Sequence, residues 1–140
     1  MAKIRHIAFT TENPGQVAEF YKEAFGMEII RRSDNGAVLL SDGYINLAVL
    51  NWETEKDADV GPNGPNYNGI HHIGFQVEDA EATDVKMRAA DSLPMDEVNT
   101  ALHAGMGEGH GGRNVELKYN GPDDVMIDVS QGGWVGTGSD

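Results

Sequence analysis

The sequence predicts an α+β fold built from two βαβββ modules, residues 1–60 and 61–140, that share one curled mixed sheet and make one structural domain. Three observations predict it. Two stretches of the chain resemble each other, each is followed by the same order of helix and strand signals, and the polar residues of three strands fall on one side of the alternation.

The near-repeat comes first because self-similarity constrains the whole architecture. Lys3 to Asn13 reads KIRHIAFTTEN, and Gly69 to Asp79 reads GIHHIGFQVED. At an offset of 66 residues they match at Ile4/Ile70, His6/His72, Ile7/Ile73, Phe9/Phe75 and Glu12/Glu78. Half the length of a 140-residue chain is about that offset, which points to a duplicated half.

In the first copy Ile7 and Phe9 alternate with His6, Ala8 and Thr10, the two-residue period of a half-buried strand. Asn13 can then cap a helix, with Pro14 at its first position and Gln16 three residues on. Val17, Phe20, Tyr21 and Phe25 follow at helical spacing, and Gly26 supplies the stop. Three β-prone runs come next: Met27–Arg32, Ala37–Ser41 and Tyr44–Asn51. The turn-formers Ser33 to Gly36 and Asp42-Gly43 separate them. A connector rich in Pro, Gly and Asn, Gly61 to Gly69, leads into the second copy. There Asp79 caps a helix through about Ala90, Pro94 closes it, and a weak strand is expected at Met95–Val98. A glycine- and histidine-rich stretch, Asn99–Gly112, precedes strands at Arg113–Asn120 and Val125–Gln131, with the turn Gly121 to Asp124 between them. The Gly-rich tail from Gly132 reads as loose, although Trp134 suggests a docking contact.

Strand parity assembles a site. Ile7 and Phe9 face the helix-covered core, which sends His6 to the other side. Ile73, Phe75 and Val77 do the same for His72; Val125, Ile127 and Val129 do so for Asp128. If the sheet curls around that side, the three converge and the cleft is a metal-binding cleft. Two imidazoles and one carboxylate form a facial triad that suits a first-row divalent ion (Fe, Mn, Ni, Zn or Co) and leaves coordination positions open. By the same alternation Glu116 and Lys118 fall on the metal side, opposite Val115, Leu117 and Tyr119. Glu116 is a candidate general base or a solvated strand carboxylate. His110 and His103 lie in the Gly-rich stretch, either as proton donors on a lid or as loop histidines without a role. Arg113 either binds an anionic substrate or pairs with a surface acid. His71 shares parity with Ile73, so it is expected on the helix side or at the sheet edge, in a structural role.

Composition narrows the function classes. With no cysteine, disulfides and thiolate metal sites are excluded and a reducing cytoplasmic compartment is expected. A formal charge of −13 repels phosphate backbones, so nucleic acid is not an expected partner. No apolar run approaches the ~18 residues of a membrane helix. The N-terminal MAKIRHIAF also lacks the apolar stretch of a signal peptide. A small molecule is the expected ligand.

The paired βαβββ modules, the H-I-x-F strand starts and the turn before an acidic residue resemble the vicinal oxygen chelate superfamily. Its members include glyoxalase I, methylmalonyl-CoA epimerase, extradiol dioxygenases, fosfomycin-modifying enzymes and bleomycin-sequestering proteins. The resemblance runs from Lys3 to about Gln131. It implies metal ligands on the first and last strand of each module: His6 and His72 on the first strands, Asp128 on the final one. Two departures bear on chemistry. The family's D-P-D-G-x-x-I-E-L reads here as Gly121-Pro-Asp-Asp-Val-Met-Ile-Asp-Val, with an aspartate one methylene shorter than the usual glutamate. The remaining ligand position falls at Asn46, in a run similar to the I-E-L-T-Y-N-W of bacterial glyoxalase I, where asparagine stands for glutamate. Asn46 is then a substrate contact or a weak neutral ligand. Proton-moving isomerases such as the glyoxalase (lactoylglutathione lyase) and the epimerase need a carboxylate base at the metal, so its loss favours three-ligand dioxygenase or other lyase chemistry. A metal-free drug-sequestering protein and a glyoxalase-like isomerase are the alternatives. The resemblance also implies a homodimer.

Overall fold

The computed structural model describes residues 1–53, 66–101 and 116–138. Among the described residues seven strands form one open mixed sheet. The first module supplies β1 (Lys3–Thr11), β2 (Glu28–Arg32), β3 (Val38–Ser41) and β4 (Asn46–Asn51); the second supplies β5 (Gly69–Gln76), β6 (Glu116–Asn120) and β7 (Met126–Ser130). The order across the sheet is β2-β3-β4-β1-β5-β7-β6. Each module's first strand therefore lies at the centre, parallel to its own last strand (β1 with β4, β5 with β7) and antiparallel to the other module's first strand.

The β1–β5 register makes the internal repeat physical. Ile7 pairs with Ile73, its own copy, while His6 faces Gly74 and Ala8 faces His72. The 66-residue offset takes His6 to His72 and Ala8 to Gly74, so it exchanges the two pairs, and a local two-fold axis passes between Ile7 and Ile73. The axis carries His6 onto His72 on the same face of the sheet.

Helix α1 (Pro14–Phe25) covers the opposite face of the first module. Ala18, Val38, Leu40, Leu47 and Val49 are buried there, with Ile7, Phe9, Val17 and Tyr21 packed against them. The expected stripe is only half used: Phe20 and Phe25 are exposed. Gly26 ends the helix at φ 70°, a left-handed conformation that costs other residues about 1 kcal/mol. Asn13 caps the helix through its backbone carbonyl, which accepts from Val17 N; its side chain makes no cap bond. Its N–H is instead turned toward the Thr11 hydroxyl, which accepts at 3.1 Å.

Helix α2 (Ala80–Ala89) is capped as the sequence predicts, by the Asp79 carboxylate accepting from Ala82 N at 3.0 Å. None of its residues is fully buried. It is fastened by the Tyr119 hydroxyl, which donates to Asp84 at 2.6 Å above a small core of Val77, Tyr119 and Val129. The strand expected at Met95–Val98 is absent. Pro94 makes an isolated bridge to Tyr119, and the chain then turns into helix α3 (Asp96–Ala101). Proline cannot propagate a ladder, and acidic Asp96 and Glu97 suit the first turn of a helix. The second module thus has three strands among the described residues. Its β7 begins at Met126, leaving Val125 outside the strand and exposed, against the expected core position.

The tail is docked, not loose. Ser41 Oγ donates to Gly136 O, and Gly138 N donates to Gly43 O, which ties the chain end to the β3–β4 turn. No helix among the described residues is long and apolar enough to cross a membrane.

Candidate metal centre

The face away from α1 and α2 carries the polar residues. Small side chains (Ala8, Ala37 and Ala48) and Leu50 are buried there. His6 and His72, on adjacent central strands, bring their Nε2 atoms to 3.1 Å. His72 Nε2 also lies 3.1 Å from Asp128 Oδ2. One ligand atom from each of His6, His72 and Asp128 lies within 4.8 Å of the others, and all three residues are buried.

Gly74 makes the convergence possible. It lies between His6 on β1 and Asp128 on β7, its register partners. A Cβ at Gly74 would sit 2.7 Å from the Cβ of His6 and 2.7 Å from the Trp134 ring, closer than real contacts allow. The missing side chain leaves the space in which His6 and Trp134 stack, centroids 4.9 Å apart and planes 1° from parallel.

Asn46 decides how His6 presents itself. Its Nδ2 donates to Val135 O at 2.9 Å, which fixes the amide's orientation and leaves Oδ1 toward His6 Nδ1 at 2.8 Å. A carboxamide oxygen only accepts, so Nδ1 carries the proton and Nε2 offers its lone pair to the cluster. Asn46 therefore engages both polar atoms within the protein while lining the same cavity as His6 and His72. His71 is buried behind His72, Nδ1 to Nδ1 at 2.8 Å.

Burial, reinforced by neighbouring His72, pushes the His6 ring down to about 3, so it is neutral near pH 7. Burial alone would raise the Asp128 carboxyl. The charges of His72 and Lys118 and the hydrogen bond from His72 outweigh that and hold it well below the usual range. The cluster thus offers a carboxylate beside at least one imidazole whose Nε2 carries a lone pair.

Sequence parity anticipates the side on which Lys118 lies, but not its partner. Lys118 Nζ donates to both Asp128 oxygens at 2.9 Å, and both residues are essentially inaccessible. Glu116, two residues earlier, lines a cavity of about 50 Å³ with His6, His72, Asn46, Trp134 and the exposed Arg31. That volume holds a few waters or one small functional group. Trp134 is missing from the sequence-derived site: only its presence in a Gly-rich tail hints at it, because the docking is long-range. Its buried Nε1 has no hydrogen-bond partner among the described residues. His103, His110 and Arg113 lie outside the described residues.

A family model described as Glyoxalase/Bleomycin resistance protein/Dioxygenase superfamily matches residues 3–128. No functionally curated protein matches the chain. Among solved structures, a methylmalonyl-CoA epimerase in complex with methylmalonyl-CoA and NH4+ aligns with TM-score 0.67 at 19% identity, covering 99% of this chain and 96% of that one. A Streptomyces coelicolor methylmalonyl-CoA epimerase bound to 2-nitronate-propionyl-CoA gives TM-score 0.65 and 20% identity over 98% and 94% of the two chains. The halotolerant catechol dioxygenase BphC gives TM-score 0.61 at 16% identity, covering 95% of this chain and 40% of that chain.

Proposed function

Because the chain belongs to the glyoxalase/bleomycin resistance protein/dioxygenase superfamily, we propose that it is a metal-dependent enzyme acting on a small molecule. In this reading His6, His72 and Asp128 are its three ligands, and the chemistry is that of a dioxygenase or another lyase. The observation that carries the reading is the cluster itself: two imidazole nitrogens and a carboxylate oxygen within 4.8 Å beside a cavity. The donor set is of the nitrogen-and-oxygen kind that holds Fe, Mn, Co, Ni or Zn.

Asn46 favours three ligands over four. A neutral amide stands where the resemblance implies a carboxylate, and both its polar atoms are committed, to His6 and to Val135. A bound divalent ion supplies Lewis acidity and open positions for a substrate oxygen, water or dioxygen. The protein's own residues do the rest. Trp134 stacks on His6 and walls the cavity. Leu39, Ala48 and Leu50 give an apolar side, and the exposed Arg31 suits an acidic group. Glu116, a carboxylate in the cavity lining, would take a proton from a bound substrate.

Glu116 also favours a second reading, proton transfer of the isomerase type, since it brings to the cavity a carboxylate that Asn46 does not. His110 and Arg113 keep the proposed roles of proton donor and anion contact, and a homodimer in the cytoplasm belongs to the same reading.

Elemental analysis of the purified protein beside a His6→Ala variant tests the ligand set, with about one equivalent of metal expected in the first and little in the second. Full retention in the variant rejects it. Oxygen uptake with catechols set against hemithioacetal isomerisation separates the two chemistries: rapid isomerisation without oxygen uptake selects the second reading.

A further inference from the structure

The least expected group at the site is a cation that belongs to the chain. Lys118 is 1% exposed, and its ammonium bridges both oxygens of the carboxylate that would be the third ligand. A buried charge persists only when it is matched, and here both oxygens of Asp128 meet the ammonium while Oδ2 also lies 3.1 Å from His72 Nε2. A divalent ion at His6, His72 and Asp128 would meet that ammonium across a few ångströms of water-poor interior, where like charges repel strongly. Asp128 has two oxygens, and Lys118 engages both.

The Lys118 backbone cannot retreat to relieve this. Its N–H donates to Asn99 Oδ1 at 2.8 Å, and its carbonyl accepts from Asn99 Nδ2 at 3.1 Å and from Met95 N at 2.8 Å. On its other edge β6 is paired to β7, Lys118 opposite Asp128. Only the four-carbon stem is left to move.

We propose that Lys118 sets the metal affinity of this site: its ammonium is a resident counter-charge to Asp128 that an incoming divalent ion must displace. The inference rests on the ligand set proposed above. Two outcomes follow from the geometry. Affinity is lower than the three ligands alone would give, so the ion exchanges readily. Its arrival also moves the Lys118 amine off the carboxylate, which makes the state of that side chain a report on occupancy.

The experiment uses the full chain, stripped with chelator and titrated with Zn2+ and Co2+ by calorimetry and, for Co2+, visible absorption. Lys118→Met removes the cation; Lys118→Gln removes the charge and keeps a hydrogen-bond donor for Asp128. Both are expected to bind the ions at least about tenfold more tightly than the unaltered protein. Their thermal midpoints should also rise more on metal addition, because an ion that binds only the folded state stabilises it in proportion to its affinity. Equal or weaker binding in folded variants, with His6→Ala still abolishing binding, overturns the role of Lys118 and leaves the ligand set standing. Binding that survives His6→Ala in every background rejects the ligand set instead. If neither Lys118 variant folds, the unaltered protein decides: Zn2+ should raise acylation of Lys118, read by peptide mass spectrometry, and an unchanged rate overturns the proposal.

Discussion

Asn46 holds the imidazole of His6 from behind, Nδ1 to Oδ1 at 2.8 Å, and is itself held by the carbonyl of Val135 at 2.9 Å. The chain end, through one backbone carbonyl, thereby dictates which nitrogen of a central-strand histidine bears the proton. Outer partners of this kind typically change metal affinity 10- to 100-fold when removed. Asn46→Leu is therefore expected to weaken Zn2+ or Co2+ binding by about one to two orders of magnitude while leaving the far-ultraviolet circular dichroism unchanged. Affinity equal to that of the unaltered protein would show that the tautomer is set by something else.

Gly74 is required for close approach, not for backbone freedom, because its φ is not in the left-handed region. An added methyl collides with the stiff Cβ of His6 and with an indole already stacked on that histidine. Gly74→Ala should cost about 1–3 kcal/mol by overpacking, measurable by urea denaturation. It should also separate His6 from His72 and lower metal affinity. Gly74→Ser, which adds one more atom, should do no better.

Acid should unfold the metal-free protein early. Burial depresses His6 to about 3 in the folded chain, against the ordinary histidine value of 6.5. The folded state thus binds fewer protons than the unfolded one between those values. The stability it contributes is complete above about pH 6.5 and is lost as pH falls toward 3. The depressed Asp128 acts in the same direction at the lower end, its contribution present above its unfolded value and lost as pH falls through the folded one. Stability measured from pH 7 to pH 4 should fall by on the order of a few kcal/mol. In His6→Gln the fall should be shallower over the same range, and an identical slope would mean that His6 is not the group responsible.

The cap of α2 offers a control remote from the site. The Asp79 carboxylate accepts from Ala82 N in a helix that buries no residue completely. Asp79→Ala should lower stability by about 1 kcal/mol and leave metal affinity within error. A change in affinity would reveal a connection between α2 and the cleft that the contacts do not show.

What could be read in advance follows from the range over which each signal acts. The side of the sheet taken by His6, His72, Asp128 and Glu116 is local, because strand alternation has a period of two. The pairing of the two halves was legible in the repeat. Partners joined across the fold were not. Nothing near Lys118 in sequence says that it meets Asp128 end-on, and nothing in a run of glycines says that Trp134 lies flat against His6. Parity puts His71 on the helix side or at the sheet edge, and gives no hint that its Nδ1 lies 2.8 Å from His72 Nδ1. β1–β5 pairing shifts register between Ala8 and Phe9, opposite His72 and Ile70, and simple alternation fails across such a shift. The helix at Asp96–Ala101 replaced an expected strand because Pro94 cannot extend a ladder and Asn99 is drawn to the Lys118 backbone.

The axis between Ile7 and Ile73 makes His6 and His72 two editions of one position, yet their surroundings have parted company. Behind one ring stands an amide with a single possible polarity; behind the other stands a second imidazole. The former is locked in one protonation pattern, while the latter shares its hydrogen bond with His71 Nδ1, where either ring can donate. Symmetry supplied the pair of donors, and its breaking gave each a separate chemical personality: a fixed anchor and an adjustable neighbour.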